Sequence, residues 1–122
     1  MPAMNRIRAL LAATGLLLSA AAHAHAFLER AEPRTGSTVS SAPAELRLWF
    51  SEPLEGAFSS IEVTDGQGRP VHAARAQVDP RERGLLHVPL TPLPPGSYTA
   101  NWRAVSVDTH VSEGHFVFHV AP

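Results

Sequence analysis

Beyond residue 24 the chain repeatedly alternates apolar and polar positions with a period of two, the pattern of half-buried strands. Leu46, Leu48 and Phe50 share one face, with Arg47 and Trp49 on the other. The alternation resumes from Phe58 to Thr64, where Ile61 and Val63 oppose Glu62 and Thr64. Val71 to Val78 is weaker and alanine-rich, and reads as an edge strand. Leu85 to Leu90 forms another short strand. Ser97 to Val105 is the longest, with Tyr98, Ala100, Trp102 and Ala104 on one face. Gly114 to Val120 closes the chain, with Phe116, Phe118 and Val120 opposite His115, Val117 and His119. A short extended segment from His25 to Leu28 precedes them all. Turn chemistry separates the runs: Ser51-Glu52-Pro53, Asp65-Gly66-Gln67-Gly68, the polar loop 79–84, and Pro94-Pro95-Gly96. No segment sustains a period of 3.6. Seven short strands with proline and glycine turns predict an all-β, seven-stranded Greek-key barrel or sandwich. The eleven prolines suit turns and strand ends.

The first 24 residues break the alternation. Arg6 and Arg8 precede an apolar run from Ala9 to Leu18, and Ala22-His23-Ala24 fits a small-x-small cleavage pattern. Residues 1–24 therefore read as a signal peptide and residues 25–122 as one β domain, exported and soluble once cleaved. The apolar run is too short to span a bilayer, and no later run is long enough. A competing cut after Ala22 would leave His23-Ala24-His25 at the terminus. Cleavage after Ala24 makes His25 the first residue.

Composition narrows the chemistry. The chain has no cysteine, and its two methionines, Met1 and Met4, both lie in the leader. No disulfide, thiolate or thioether is then available to the mature domain. A metal site would be built from nitrogen and oxygen, which suits Cu(II), Ni(II) or Zn(II) and not Cu(I). Ten basic residues, all arginine, stand against eleven acidic ones. Two of those arginines belong to the leader, so the mature domain is acidic, at about −3 with histidine neutral. That charge argues against nucleic acid as a partner.

Two places carry candidate ligands. Asp108 and His110 sit two positions apart after the longest strand. If the backbone stayed extended there, their side chains would leave one face about 6–7 Å apart. The second place is His25. A free α-amine titrates near 8, so a metal displaces its proton readily. The amine and Nδ1 of one histidine close a six-membered chelate ring. With His110 and Asp108 the donor set becomes three nitrogens and one oxygen, a tetragonal set that Cu(II) favours.

The mature chain resembles the CopC family of periplasmic copper-binding proteins. The residues that carry the resemblance are His25-Ala26-x-Leu28 with Pro33 eight positions after the histidine, Leu46-x-Leu48-x-Phe50-Ser51-Glu52 and Pro95-Gly96-x-Tyr98. Trp102-Arg103-Ala104-Val105-Ser106-x-Asp108-x-His110 and Gly114-x-Phe116-x-Phe118 complete them. The resemblance implies an immunoglobulin- or cupredoxin-like Greek-key barrel that holds one Cu(II) per chain. It implies ligands at His25 (amine and imidazole), Asp108 and His110, with Glu52 as an outer or weak axial group. It also implies a periplasmic location, a role in copper resistance or homeostasis without turnover, and a monomer. A CopD-like inner-membrane transporter is the partner it implies. The methionine-rich Cu(I) loop of some members has no counterpart here, since the region between the third strand and Leu85 holds no methionine.

Other readings compete. Copper braced by an N-terminal histidine also serves redox enzymes, which require a second histidine and an open coordination position. A generic immunoglobulin-like interaction module would leave the histidines incidental. His115 and His119 lie about 13 Å apart along a strand and cannot share one ion. His72 and His87 read as isolated surface residues. Trp102, Tyr98, Phe116 and Phe118 read as core. Arg103 is either an exposed strand residue or a partner for Glu52 or Asp108.

Overall fold

Inward-facing residues of two four-stranded sheets meet face to face and make one core. The computed structural model describes residues 25–122. The expected leader lies outside the described residues. Eight strands appear among those described: β1 (Leu28–Glu32), β2 (Thr38–Val39), β3 (Glu45–Phe50), β4 (Ser60–Thr64), β5 (Gln77–Val78), β6 (Leu85–Pro89), β7 (Gly96–Val105) and β8 (Val111–Val120). The first sheet runs β1-β3-β6-β5 and the second β2-β8-β7-β4. The architecture is an all-β sandwich.

The differences from the expected seven strands have local causes. β2 is two residues long, too short to show alternation, and pairs in parallel with the end of β8. The alanine-rich run 71–78 contributes only Gln77–Val78 as a strand. Residues upstream of it stitch the sheets together instead. The Val71 amide donates to Val63 of β4 at 2.9 Å, and the Ala73 amide to Pro89 of β6 at 2.9 Å. His72 is half-buried in this stitch, its Nδ1 3.3 Å from the Val63 amide. It is therefore not the isolated surface residue expected. β8 begins three residues before Gly114, because Val105 and Val111 pair directly across a tight connection.

Alternation decides what is buried. Leu46, Leu48 and Phe50 of β3, Ile61 and Val63 of β4, and Tyr98, Ala100 and Ala104 of β7 all face the core. Phe118 is fully buried and stacks on Tyr98, with ring centroids 5.6 Å apart. Trp102 is half-buried and meets Phe50 edge to face at 5.1 Å. Its register partner is Gly114. A methyl group there would lie 2.4 Å from Trp102 Cζ2. Glycine thus lets the indole lie against the β8 backbone.

On the outer face of the second sheet, Arg103 Nη1 binds Glu113 Oε1 at 3.2 Å, directly across the β7–β8 ladder. Among the described residues Arg103 pairs with Glu113, and not with Glu52 or Asp108. On the other sheet, His87 Nδ1 lies 3.8 Å from Glu45 Oε2.

Candidate metal centre

Three backbone segments converge at one end of the sandwich: the stretch leading into β1, the turn leaving β3, and the β7–β8 connection. Their convergence follows from ordinary pairing. Leu28 pairs with Phe50, and a register shift between Leu28 and Arg30 marks a bulge at the start of β1. Just before it, Phe27 and Ser51 are joined twice. The Phe27 amide donates to Ser51 Oγ at 2.8 Å, and the Ser51 amide donates to the Phe27 carbonyl at 2.9 Å. Ala26 is fully buried, so the arm is plugged into the core immediately after His25. His25 itself is exposed.

The β7–β8 connection is tied from the other side. Val107 donates to the Pro53 carbonyl at 3.1 Å, and Glu55 donates to the Val105 carbonyl at 2.8 Å. Within the connection, the Ser106 amide donates to the His110 carbonyl at 3.0 Å, and the Thr109 amide to the Ser106 carbonyl at 2.8 Å. The His110 amide donates to Ser106 Oγ at 3.3 Å. Ser59 Oγ accepts from the Val105 amide at 3.0 Å. Both serines are buried, Ser59 at 0% and Ser106 at 1% exposure. Among the described residues no buried side-chain nitrogen or oxygen lacks a partner.

This geometry corrects one expectation. Asp108 and His110 do not lie in extended backbone; residues 107–110 form the turn between β7 and β8. Thr109 has φ of +66°, in the left-handed region that β-branched residues rarely enter. The i, i+2 rule for one strand face therefore does not set the direction of the Asp108 side chain.

The turn brings His110 against His25. Their ring centroids lie 5.1 Å apart, with the planes at 77°. Two imidazole nitrogens each about 2.0 Å from one ion must lie within about 4 Å of each other. A centroid separation of 5.1 Å is compatible with that limit, which makes the pair a candidate for sharing one ion. Both histidines are exposed, so solvent reaches both rings. Asp108 is exposed in the same turn, and Glu52 is half-buried between Ser51 and Pro53. Among the described residues, no three histidine, aspartate or glutamate side chains are gathered at metal-binding distance. The structure thus joins the two histidines and leaves both carboxylates on the adjoining backbone. His115 and His119 point from the outer face of β8, and His119 Nδ1 lies 2.8 Å from Ser97 Oγ.

Sequence reasoning took Ser51 and Ser106 only as members of the family motifs and gave no role to them or to Ser59. Part of the signal was present. Ser59 continues the inward phase of Ile61 and Val63, and Ser106 continues that of Trp102 and Ala104. A hydroxyl at an inward position past a strand end needs a backbone partner.

A model of the CopC domain matches residues 28–121. The chain belongs to the CopC family. Copper resistance protein C of Pseudomonas syringae pv. tomato is 38% identical over 116 residues, covering 88% of this chain and 90% of that protein. The crystal structure of CopC from Methylosinus trichosporium OB3b superposes with a TM-score of 0.75 at 33% identity, covering 80% of this chain and 95% of the other. PcoC, a methionine-rich copper resistance protein from Escherichia coli, gives a TM-score of 0.70 at 35% identity, covering 80% and 99%. Against that methionine-rich CopC relative, this chain carries methionine only at positions 1 and 4.

Proposed function

We propose that this CopC-family protein binds one Cu(II) per chain in the periplasm and acts as a carrier or store in copper homeostasis and resistance. Cleavage after Ala24 frees the His25 amine. The amine and imidazole of His25, the imidazole of His110 and the carboxylate of Asp108 hold the ion, with Glu52 as an outer group. The supporting observation is the contact between His25 and His110, 85 positions apart in sequence, with ring centroids at 5.1 Å. A chain without cysteine, and without methionine after residue 4, offers hard and borderline donors that favour the cupric state. A CopD-like inner-membrane transporter is the partner that membership implies, and the domain acts as a monomer.

The test begins with mass spectrometry of the exported protein, which is expected to start at His25. Cu(II) titration against a competing chelator, with electron paramagnetic resonance, then reads affinity and donor set. Acetylating the amine, or replacing His25 or His110 with alanine, is expected to weaken binding by orders of magnitude and to reduce the nitrogen couplings. Unchanged affinity after the amine is blocked refutes the ligand set. The histidine pair also suits a copper redox enzyme, in which a fourth position stays open for oxygen. Copper-dependent peroxide formation with a reductant separates the two, and a carrier forms none.

A further inference from the structure

Histidine ligands at a chain terminus and in a turn have no reason to stay together unless something holds both. The turn after β3 does so. At one end, Ser51 holds the His25 arm through its hydroxyl and its amide, at 2.8 and 2.9 Å. Two residues on, the Pro53 carbonyl accepts the Val107 amide at 3.1 Å and so holds the His110 turn. The bent strut Ser51–Glu52–Pro53 therefore ties both histidine-bearing segments within three residues.

We propose that Ser51 is a positioning residue for the copper site: its hydroxyl latches the His25 arm to the strut and so keeps the two imidazoles at ligand separation before the ion arrives. This rests on the copper reading above. The reasoning is one of pre-organisation. Ordering a terminal residue costs conformational entropy. A site that has met this cost before binding is tighter than one that meets it on binding. Two features place the control at Ser51. The buried Ala26 anchors the arm but cannot set its direction, whereas the Ser51 hydroxyl takes the one amide between Ala26 and Leu28. Ser51 is itself exposed, so its replacement leaves no cavity in the core. The bond from the Ser51 amide to Phe27 survives a side-chain change, so the arm stays in register while losing one of two tethers.

The test uses the mature chain starting at His25 and the variants Ser51→Ala and Ser51→Thr. In the metal-free proteins, amide hydrogen exchange and backbone order parameters at residues 26–28 are expected to show a looser arm in Ser51→Ala and a native arm in Ser51→Thr. Thermal unfolding midpoints should stay close together. Cu(II) affinity should fall about five- to tenfold in Ser51→Ala, the worth of one typical hydrogen bond, and return in Ser51→Thr. In a His110→Ala background the Ser51→Ala change should have little effect, because no second imidazole remains to be met. An arm equally ordered in Ser51→Ala overturns the latch whatever copper does. A looser arm with unchanged affinity overturns the positioning role, as does an equal loss in the His110→Ala background. If the unaltered protein takes up no Cu(II) while its arm still loosens in Ser51→Ala, the copper reading falls and the latch stands.

Discussion

Gly114→Ala should unseat Trp102, and the cost can be worked from the structure. An added methyl would lie 2.4 Å from Trp102 Cζ2 and 2.7 Å from Cε2. Ordinary carbon contacts are about 3.5–4.0 Å, so the indole must move by more than 1 Å. Gly114 does not have a left-handed backbone, so alanine adds no backbone strain and the loss is steric. Overpacking of this kind costs about 1–3 kcal/mol. Disturbing the edge-to-face contact with Phe50 adds about 0.5–1.5 kcal/mol. Lower entropy of the unfolded chain returns about 0.4–1 kcal/mol. The net loss is about 2 kcal/mol, which lowers the melting temperature of a domain this size by about 10 °C. Thermal unfolding followed by near-ultraviolet circular dichroism reads both the midpoint and the tryptophan environment. Because Phe50 precedes Ser51, the displaced ring should also loosen the His25 arm. A variant with the parent's midpoint and an unchanged tryptophan signal refutes the reasoning.

Asp65 accepts the Arg69 and Gln67 amides, and these bonds hold its carboxyl below the usual range. A lowered folded value contributes stability above the unfolded value of about 3.9, lost as pH falls through the folded one. Asp65→Asn should therefore lower the urea midpoint at neutral pH, and the gap should close below about pH 4; a gap that persists at low pH contradicts this. Thr109→Gly should raise stability by about 1 kcal/mol in urea titration, since it removes left-handed strain at φ +66° but frees the unfolded chain; a destabilised variant would show that no strain is stored there. His115→Ala and His119→Ala should leave Cu(II) affinity within about twofold, because both residues lie on the outer face of β8, five and nine positions beyond His110; a larger loss in either would move the site.

Alternation made the long strands legible, because each buries one face and a slip by one residue would expose it. Leu46 to Phe50 and Ser97 to Val105 both match their expected faces. β2 was hidden, since two residues cannot display a period, while β5 is the last two residues of the edge strand expected over 71–78. The course of the Asp108–His110 segment was not legible: extended backbone would have put both side chains on one face, whereas Thr109 is left-handed in a turn closed by the bonds around Ser106. His25 and His110 were legible as candidate ligands by type and spacing from family motifs. Their contact was not, because it depends on which amides Ser51, Pro53 and Ser106 accept or offer, and no pattern along the chain encodes that.

Where the ligands lie along the chain bears on how copper would couple to folding. An ion that binds the native state alone stabilises it according to concentration over dissociation constant. On the proposed reading that limit does not apply in full. The amine and imidazole of His25 belong to one residue, so an unfolded chain keeps that two-nitrogen chelate. Binding to the unfolded state subtracts from the stabilisation. Only the increment from His110 and Asp108 requires the fold, because only the fold closes the 85-residue separation from His25 to the β7–β8 turn. Copper should therefore bind far more tightly than it stabilises. The difference between the two free energies measures what the unfolded terminus holds by itself. His110→Ala should make that difference nearly complete, leaving an ion that binds the terminus with little change in melting temperature. If copper instead raised the midpoint of His110→Ala as much as that of the parent, the fold-dependent ligand would lie elsewhere.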